Sequence, residues 1–359
     1  MAIYTQKEAR PAPSNTRGPV HWMRENLFAD TSSTILTIIA FAIVFLTLPP
    51  LLDWLIFDAT WTGTKEEITG DGARWIFIFE KLNLFIYGFY PEEQYWRPNL
   101  LLAITVAAVV LFKKVAITKF RIALIVLFPI IAFILLHGGF GLVEVPTTKW
   151  GGLLLTIVVA SVGIIASFPI GIAFALGRQS NMPIIRTISV IFIEFIRGVP
   201  LITLLFMASV ILPLFFPEGM DFDKLLRALI GITLFQSAYI AEVIRGGLQA
   251  IPKGQYEASE AMGLSYWQSM GLIILPQALK ISIPNIVGSF ISLFKDTTLV
   301  LIIGLFDMLA MVTLTATDAD WLGFETEGYV FITFIYWAFC FSMSKYAQSV
   351  ENRFNTNHR

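Results

Sequence analysis

The sequence predicts an all-α, polytopic membrane protein with about eight transmembrane helices. Its 359 residues are 56% hydrophobic and 14% charged, whereas a soluble domain carries about 25% charged residues. Apolar runs of spanning length recur along the chain. The basic residues between these runs fall in alternate short loops, the pattern of a chain that crosses a membrane repeatedly.

The first predicted span follows a polar, basic segment, residues 1–33, which we expect to be a cytoplasmic tail. The apolar run at about 34–56 is longer than a signal-peptide core and no A-x-A site follows it, so we interpret it as an uncleaved span. The acidic stretch 57–97 is placed outside the membrane. Within it, residues 75–90 are apolar but interrupted by charges, which favours a helix lying at the membrane surface.

Two further spans complete an N-terminal extension, residues 34–147. They are predicted at about 98–112 and 122–137. The loop between them, KKVAITKFR, carries four basic residues, which places it in the cytoplasm. A glycine-rich outer linker then ends the extension.

Five more spans follow, and they place both termini in the cytoplasm. Short-loop basic residues lie on the inner side throughout, and acidic loops lie outside. We expect Trp321 and Phe324, in the last outer loop, to sit at the membrane surface like other interfacial aromatics. The C-terminal residues 352–359 form a cytoplasmic tail. The five spans are predicted at about 151–176, 199–216, 225–244, 281–305 and 328–344.

A non-membrane stretch, residues 255–276, separates the third and fourth of these five spans. Its pattern predicts two short helices with a break at Gly263, a residue suited to the left-handed position that ends a helix. Ser265 followed by Gln268 has the form of a capping box for the second helix. Pro276 is expected to disturb the helix that follows.

This stretch resembles the E-A-A…G…I-x-L-P loop of permease subunits of ABC importers. One position differs, since a serine stands where the third motif residue is alanine. The resemblance implies that residues 251–280 form a cytoplasmic coupling loop whose helix sits in a cleft of a separate ATPase subunit. The matching residues are Glu257, Ala258, Ser259, Gly263, Ile273, Leu275 and Pro276.

Two copies of a short sequence pattern and one polar pair are further candidate sites. Glu194 and Arg197, and Glu242 and Arg245, share the spacing E-x-x-R-G, so each glutamate can pair with its arginine on one helix face. Each pair either anchors a helix end or forms an inner gate that rearranges during transport. Ionisable groups inside a span are costly and face protein or water.

The polar pair is Lys295-Asp296, which lies inside a predicted span. It either fixes helix packing or lines a path where it meets the α-carboxylate or α-amino group of a substrate. The run K-D-T-T-L around this pair is similar to the K-D-T-S-L run of the same permease family. The sequence leaves both alternatives open.

The resemblance covers residues 148–351, the five-span core of a type I importer, and its motifs are similar to those of the polar amino acid subfamily. With its three extra spans, the chain resembles the M-type permeases of bacterial general L-amino acid importers and the related permeases for glutamate, glutamine, aspartate and asparagine. The resemblance implies ABC ATPase subunits, a second, non-identical permease subunit, a periplasmic amino acid-binding protein, an L-amino acid substrate and the inner-membrane bilayer as partners.

Other functional classes fit the sequence less well. An ion-gradient-driven secondary transporter needs intramembrane carboxylates and repeat symmetry, and the spans hold few acids. No P-loop sequence, nucleophile–base constellation or clustered metal ligands occur, so we expect no enzyme activity, metal or cofactor. A nucleic-acid-binding helix-turn-helix is disfavoured because the flanks are membrane spans and the stretch has no basic face.

Overall fold

The computed structural model describes residues 18–63, 71–114, 118–217 and 222–355, and their side chains except those of 112–126 and 353–355. The described residues are helical, with no β-strand among them, which confirms the all-α prediction. Contacts divide the chain into two compact units, and the division falls after Ile76.

The first unit is dominated by one long apolar helix. Helix α1, Pro19–Asn26, precedes α2, Thr31–Leu52, which continues as a π turn over Asp53–Phe57. The Asp30 carboxylate caps α2 by accepting a hydrogen bond from the Ser33 amide at 2.6 Å. The 27-residue span Thr31–Phe57 corresponds to the predicted run at 34–56.

The second unit contains the other helices of the described residues. Several of them are short and join longer membrane helices. They are α3 Ile76–Tyr87, α4 Trp96–Lys114, α5 Thr118–His137, α6 Gly152–Gln179, α7 Pro183–Gly198, α8 Leu201–Phe206, α9 Lys224–Gln249, α10 Lys253–Ala261, α11 Tyr266–Ser269, α12 Leu275–Asp296, α13 Met308–Thr315 and α14 Glu325–Asn355.

Within the described ranges, six helices are long and apolar enough to cross a membrane, or seven if one bent pair counts as a span. The bent pair joins α7 to Leu201–Phe215 at 106°. The predicted span 122–137 is part of α5, whose apolar described part is the shorter Leu127–His137. The structure therefore supports six or seven spans by length and composition, with α5 as the remaining candidate for the predicted set of about eight.

The sharp bend before α8 arises at Val199-Pro200. Val199 is extended, with φ −107° and ψ 133°, as the residue before a proline prefers. Pro200 has no amide hydrogen to continue the ladder of α7. The predicted span at 199–216 is thus a short helix, a π turn over Met207–Ile211 and a 3₁₀ turn over Leu212–Phe215.

The helix after the coupling stretch begins much earlier than the predicted residue 281. One apolar helical run extends over Tyr266–Ile303. Pro276 lies in the first turn of α12, directly after a π turn over Met270–Ile274. The disturbance expected from Pro276 therefore takes the form of a wider turn and not of a break.

Helices α6, α9 and α12 form the centre of the second unit. The small residues of α6 spaced four apart, Gly163, Ser167, Gly171 and Ala175, are all buried. A Cβ added at Gly171 would lie 2.6 Å from the Ile240 Cγ2 atom of α9. The backbones approach closely because these positions carry little or no side chain, as the spacing predicts.

Helix α3 packs against the ends of α6, α13 and α14. Phe77 is fully buried, with its ring 5.3 Å from that of Trp321 and 5.9 Å from that of Phe324. Lys81 pairs with Asp318 at 3.2 Å. The expectation that Trp321 and Phe324 sit at the membrane surface is wrong, because both side chains are buried beneath α3.

We expect Phe77→Ala to destabilise the purified protein by about 3–5 kcal/mol, because it opens a cavity beside the buried rings of Trp321 and Phe324. Thermal denaturation measures this loss. Phe79→Ala on the same helix is the matched control, since Phe79 is 58% exposed. An equal fall in Tm for both variants would contradict the packing of α3 described above.

Candidate functional site

The candidate coupling loop is a hairpin of α10 and α11, which we call the coupling hairpin, residues 253–269. Helix α10 follows α9 after a short turn, and the Tyr256 hydroxyl donates to the Leu248 carbonyl at 3.3 Å. Burial raises the pKa of Tyr256, so its phenol remains a protonated donor. This bond joins α10 to the end of α9.

The turn between the two helices has the predicted chemistry. Gly263 adopts a left-handed φ of +74°, a conformation that costs a side-chain-bearing residue energy. The capping box is confirmed, since the Ser265 amide donates to Gln268 Oε1 at 2.9 Å and the Gln268 amide donates to Ser265 Oγ at 3.4 Å. The break at Gly263 is therefore a defined hairpin turn.

The motif residues divide by burial. Glu257, Ala258, Gly263 and Pro276 are exposed, whereas Ile273 and Leu275 are half-buried. Ser259 is 1% exposed, and its Oγ lies 2.6 Å from the Ser269 Oγ. The serine that replaces the motif alanine thus faces inward and joins the two arms of the hairpin.

Large apolar side chains remain exposed around the tip of the coupling hairpin. Met262, Trp267 and Leu272 are 65%, 68% and 71% exposed. Tyr266 packs edge-to-face on Trp267, with ring centroids 5.2 Å apart. Clustered exposed apolar groups mark surfaces that contact another protein or a membrane.

A second cluster joins the ends of three helices, and we call it the ion network. Glu242 of α9 accepts two hydrogen bonds from Arg245, at 2.6 and 2.9 Å, as the i, i+3 spacing predicts. Glu242 also lies 3.3 Å from Arg178 of α6 and 3.7 Å from Arg197 of α7. Glu194 contacts Arg178 at 2.8 Å, so its partner is on α6 and differs from the one that sequence spacing predicts.

The structure thus brings both E-x-x-R-G pairs into one cluster and adds Arg178 of α6, which lies outside that pattern. Three guanidinium groups surround two carboxylates, with most side chains about a quarter exposed. Stacking of Phe174 on Phe192, with centroids 4.0 Å apart, holds α7 against α6 beside the cluster. The arrangement can fix three helix ends together, and it can rearrange because its ions stay partly hydrated.

Lys295 and Asp296 lie elsewhere, at the end of α12 far from the coupling hairpin. Twenty residues of helix separate them from Leu275, a distance of roughly 30 Å. Lys295 is exposed and Asp296 is half-buried, so the two adjacent side chains have different surroundings. The structure does not bring this pair together with the ion network.

A buried polar cluster that the sequence did not indicate lies beyond this end of α12. The Asp307 carboxylate is fully buried and accepts hydrogen bonds from the Ala310 amide at 3.0 Å and from the Tyr336 hydroxyl at 3.4 Å. Burial raises the pKa of Asp307, while these hydrogen bonds oppose the shift. The cluster joins α13 to α14, and no group of three or more metal-ligating residues occurs in the described part of the chain.

Comparison with known proteins decides the family. Residues 167–356 match the family model described as the inner membrane component of binding-protein-dependent transport systems. The chain is 54% identical, over 97% of its length and 96% of the relative's, to the Escherichia coli K12 inner membrane amino-acid ABC transporter permease protein YhdY. The chain belongs to this family. It is a multi-pass permease subunit of an ABC transporter in the inner membrane.

Two further similarities separate the core from the extension. The Rhodobacter capsulatus glutamate/glutamine/aspartate/asparagine permease BztC is 40% identical to this chain. The alignment covers 98% of this chain and 97% of BztC. A solved structure described as the crystal structure of an amino acid ABC transporter with histidines matches with a TM-score of 0.50 and 28% sequence identity. The match covers 56% of this chain and 92% of the chain in that structure. The permease fold is thus shared with the solved structure over about half of this chain, whereas the full-length relatives match the extension as well.

We expect Glu242→Gln to destabilise the permease by about 1–2 kcal/mol, because it leaves three arginines without their shared anion. Glu194→Gln is the control, since the ion pair of Glu194 is with Arg178 and its side chain is 53% exposed. Thermal denaturation of the purified complex compares the two. Equal stability of both variants would show that Glu242 is not the centre of the ion network.

Proposed function

We propose that this permease carries polar L-amino acids across the bacterial inner membrane, driven by a separate ATPase. The observation that carries the proposal is the coupling hairpin, an exposed helix pair between two membrane helices that matches the E-A-A…G motif. The relatives support the substrate class, because the printed names of YhdY and BztC refer to amino acids. No P-loop occurs in the sequence, which agrees with an energy source on another chain.

The proposal assigns the coupling hairpin to the ATPase contact. Glu257, Ala258 and Gly263 present the exposed motif face, and Met262 and Trp267 extend it with apolar area. Exposed aromatic and methionine side chains are typical of the centre of protein interfaces. Ile273, Leu275 and Pro276 then place the start of α12 beneath this contact.

The same assignment gives the orientation. A hairpin that contacts an ATPase lies in the cytoplasm, and the basic residues of the short loops support the same side for both termini. The family supports two further partners in this proposal: a periplasmic amino acid-binding protein that delivers substrate, and a second, non-identical permease subunit that completes the pathway.

The mechanism is alternating access driven through rigid helices. Closure of the ATPase dimer moves the two coupling helices, and α10 carries this motion to α9 and α12 because it is joined to both. The ion network lies at the end of α9 next to the hairpin, so the same movement breaks or remakes its contacts. We assign it the role of an inner gate. Lys295 and Asp296, at the other end of α12, are assigned to the substrate path.

We expect Gly263→Asp to abolish uptake while leaving membrane insertion intact, because it strains the left-handed turn and adds a negative charge to the exposed motif face. Uptake of labelled amino acid by cells with matched membrane levels measures this. Gly271→Ala is the control, since a Cβ there meets no atom within 4 Å and Gly271 is not among the positive-φ glycines. Normal uptake by Gly263→Asp would remove the hairpin from the transport cycle.

We expect Lys295→Ala to change the KM or kcat of amino acid uptake, because an exposed cation on the path attracts the substrate α-carboxylate. Lys345→Ala is the control, since Lys345 lies near the end of α14 and packs over the Phe341 ring. Uptake kinetics in proteoliposomes separate the two. If Lys295→Ala retains both parameters for every substrate, Lys295 is not part of the path.

A further inference from the structure

We infer that the hydroxyl pair Ser259–Ser269 locks α10 to the membrane helix that follows it and so positions the coupling helix for force transfer. The inference rests on the proposed function, in which α10 receives motion from the ATPase. It assigns a positioning role to the serine that replaces the motif alanine, and to Ser269, which the motif does not include.

In the serine pair, each hydroxyl proton is donated in a hydrogen bond. The Ser259 Oγ donates to the Tyr256 carbonyl at 2.7 Å and lies 2.6 Å from the Ser269 Oγ. A hydroxyl carries a single proton, so Ser269 is the donor between the two serines. Both groups are buried, at 1% and 8% exposure, where water competes little for the bond.

The Ser259–Ser269 hydrogen bond differs from a second side-chain hydrogen bond that joins α10 to α12. Gln277 donates to the Gln255 side chain at 3.2 Å, but this amide pair is exposed. An exposed hydrogen bond exchanges with water at little net cost, whereas a buried hydroxyl left without its partner is costly. Ser259–Ser269 is therefore a buried hydrogen bond that resists separation of α10 from α11.

The positions of Tyr256 and Ser259 on α10 explain how its motion reaches both α9 and α12. Tyr256 and Ser259 are three residues apart and so share one face of α10. Tyr256 is bonded to the last turn of α9, and Ser259 is bonded to the start of the run that continues as α12. Without the serine bond, α10 can rock about the Gly263 turn, and its movement reaches α12 only in part.

The test uses the complete transporter, with its partner subunits, reconstituted in liposomes. Labelled L-glutamate and L-glutamine are the substrates, and the readout is the number of molecules carried per ATP hydrolysed. We expect Ser269→Ala, at a buried position outside the motif, to keep the rate of ATP hydrolysis and to lower this ratio about fivefold, the effect of one lost buried hydrogen bond. Ser342→Ala is the matched control, because its exposed hydroxyl donates to Ala338 of its own helix, and we expect its ratio to be unchanged.

A cysteine pair tests the link itself and guards against simple misfolding. In a Cys340→Ser background, which removes the single native cysteine, Ser259→Cys with Ser269→Cys forms a disulfide on oxidation. We expect the oxidised pair to carry as many molecules per ATP as the natural protein, and the reduced pair to carry as few as Ser269→Ala.

The outcomes separate the lock from the proposed function. A wild-type ratio in Ser269→Ala, or an oxidised cysteine pair as poorly coupled as the reduced one, would overturn the lock and leave the proposed function intact. Absence of ATP-dependent uptake by the natural complex would overturn the proposed function, and the lock with it.

Discussion

Close contact between α6 and α9 is the constraint on which the rest of this permease depends. Apolar side chains gain little by leaving lipid for protein, so membrane helices associate through tight backbone approach. Gly163 and Gly171 provide it, since an added Cβ would lie 2.9 Å from Ile232 or 2.6 Å from Ile240. Because the two helices are held this closely, Arg178 at the end of α6 reaches Glu242 of α9.

The coupling hairpin extends this rigid centre to an exposed surface. Its turn is set by the Gly263 backbone and the Ser265 cap, and its two arms are joined to α9 and to the α12 run by buried or half-buried hydrogen bonds. In the proposed function, this hairpin receives motion from a separate ATPase. A short helix bonded to two packed helices can pass that motion on with little bending.

Within the second unit, the residues between Phe77 and Gly151 pack closely against the helices of the family core. Helix α3 buries Phe77 and Phe85, and the Tyr90 hydroxyl donates to the Leu136 carbonyl at 2.8 Å. A Cβ on Gly88 would lie 2.3 Å from the Gly151 Cα, so the two backbones touch at the start of α6. Contacts divide the chain after Ile76. The domain boundary predicted at residues 147–148 is placed where the family core begins, and it stays a prediction.

Local sequence is enough to predict the fold class, the position of most long helices and the hairpin turn at Gly263. These features depend on apolar runs of spanning length, a left-handed glycine and a cap whose partners lie three residues apart. Which charges meet, why Ser259 faces inward and where Trp321 lies become visible once the helices are packed together. Arg178, Ser269 and Phe77 reach their partners across separate helices, and the spacing within a single helix carries no information about such contacts.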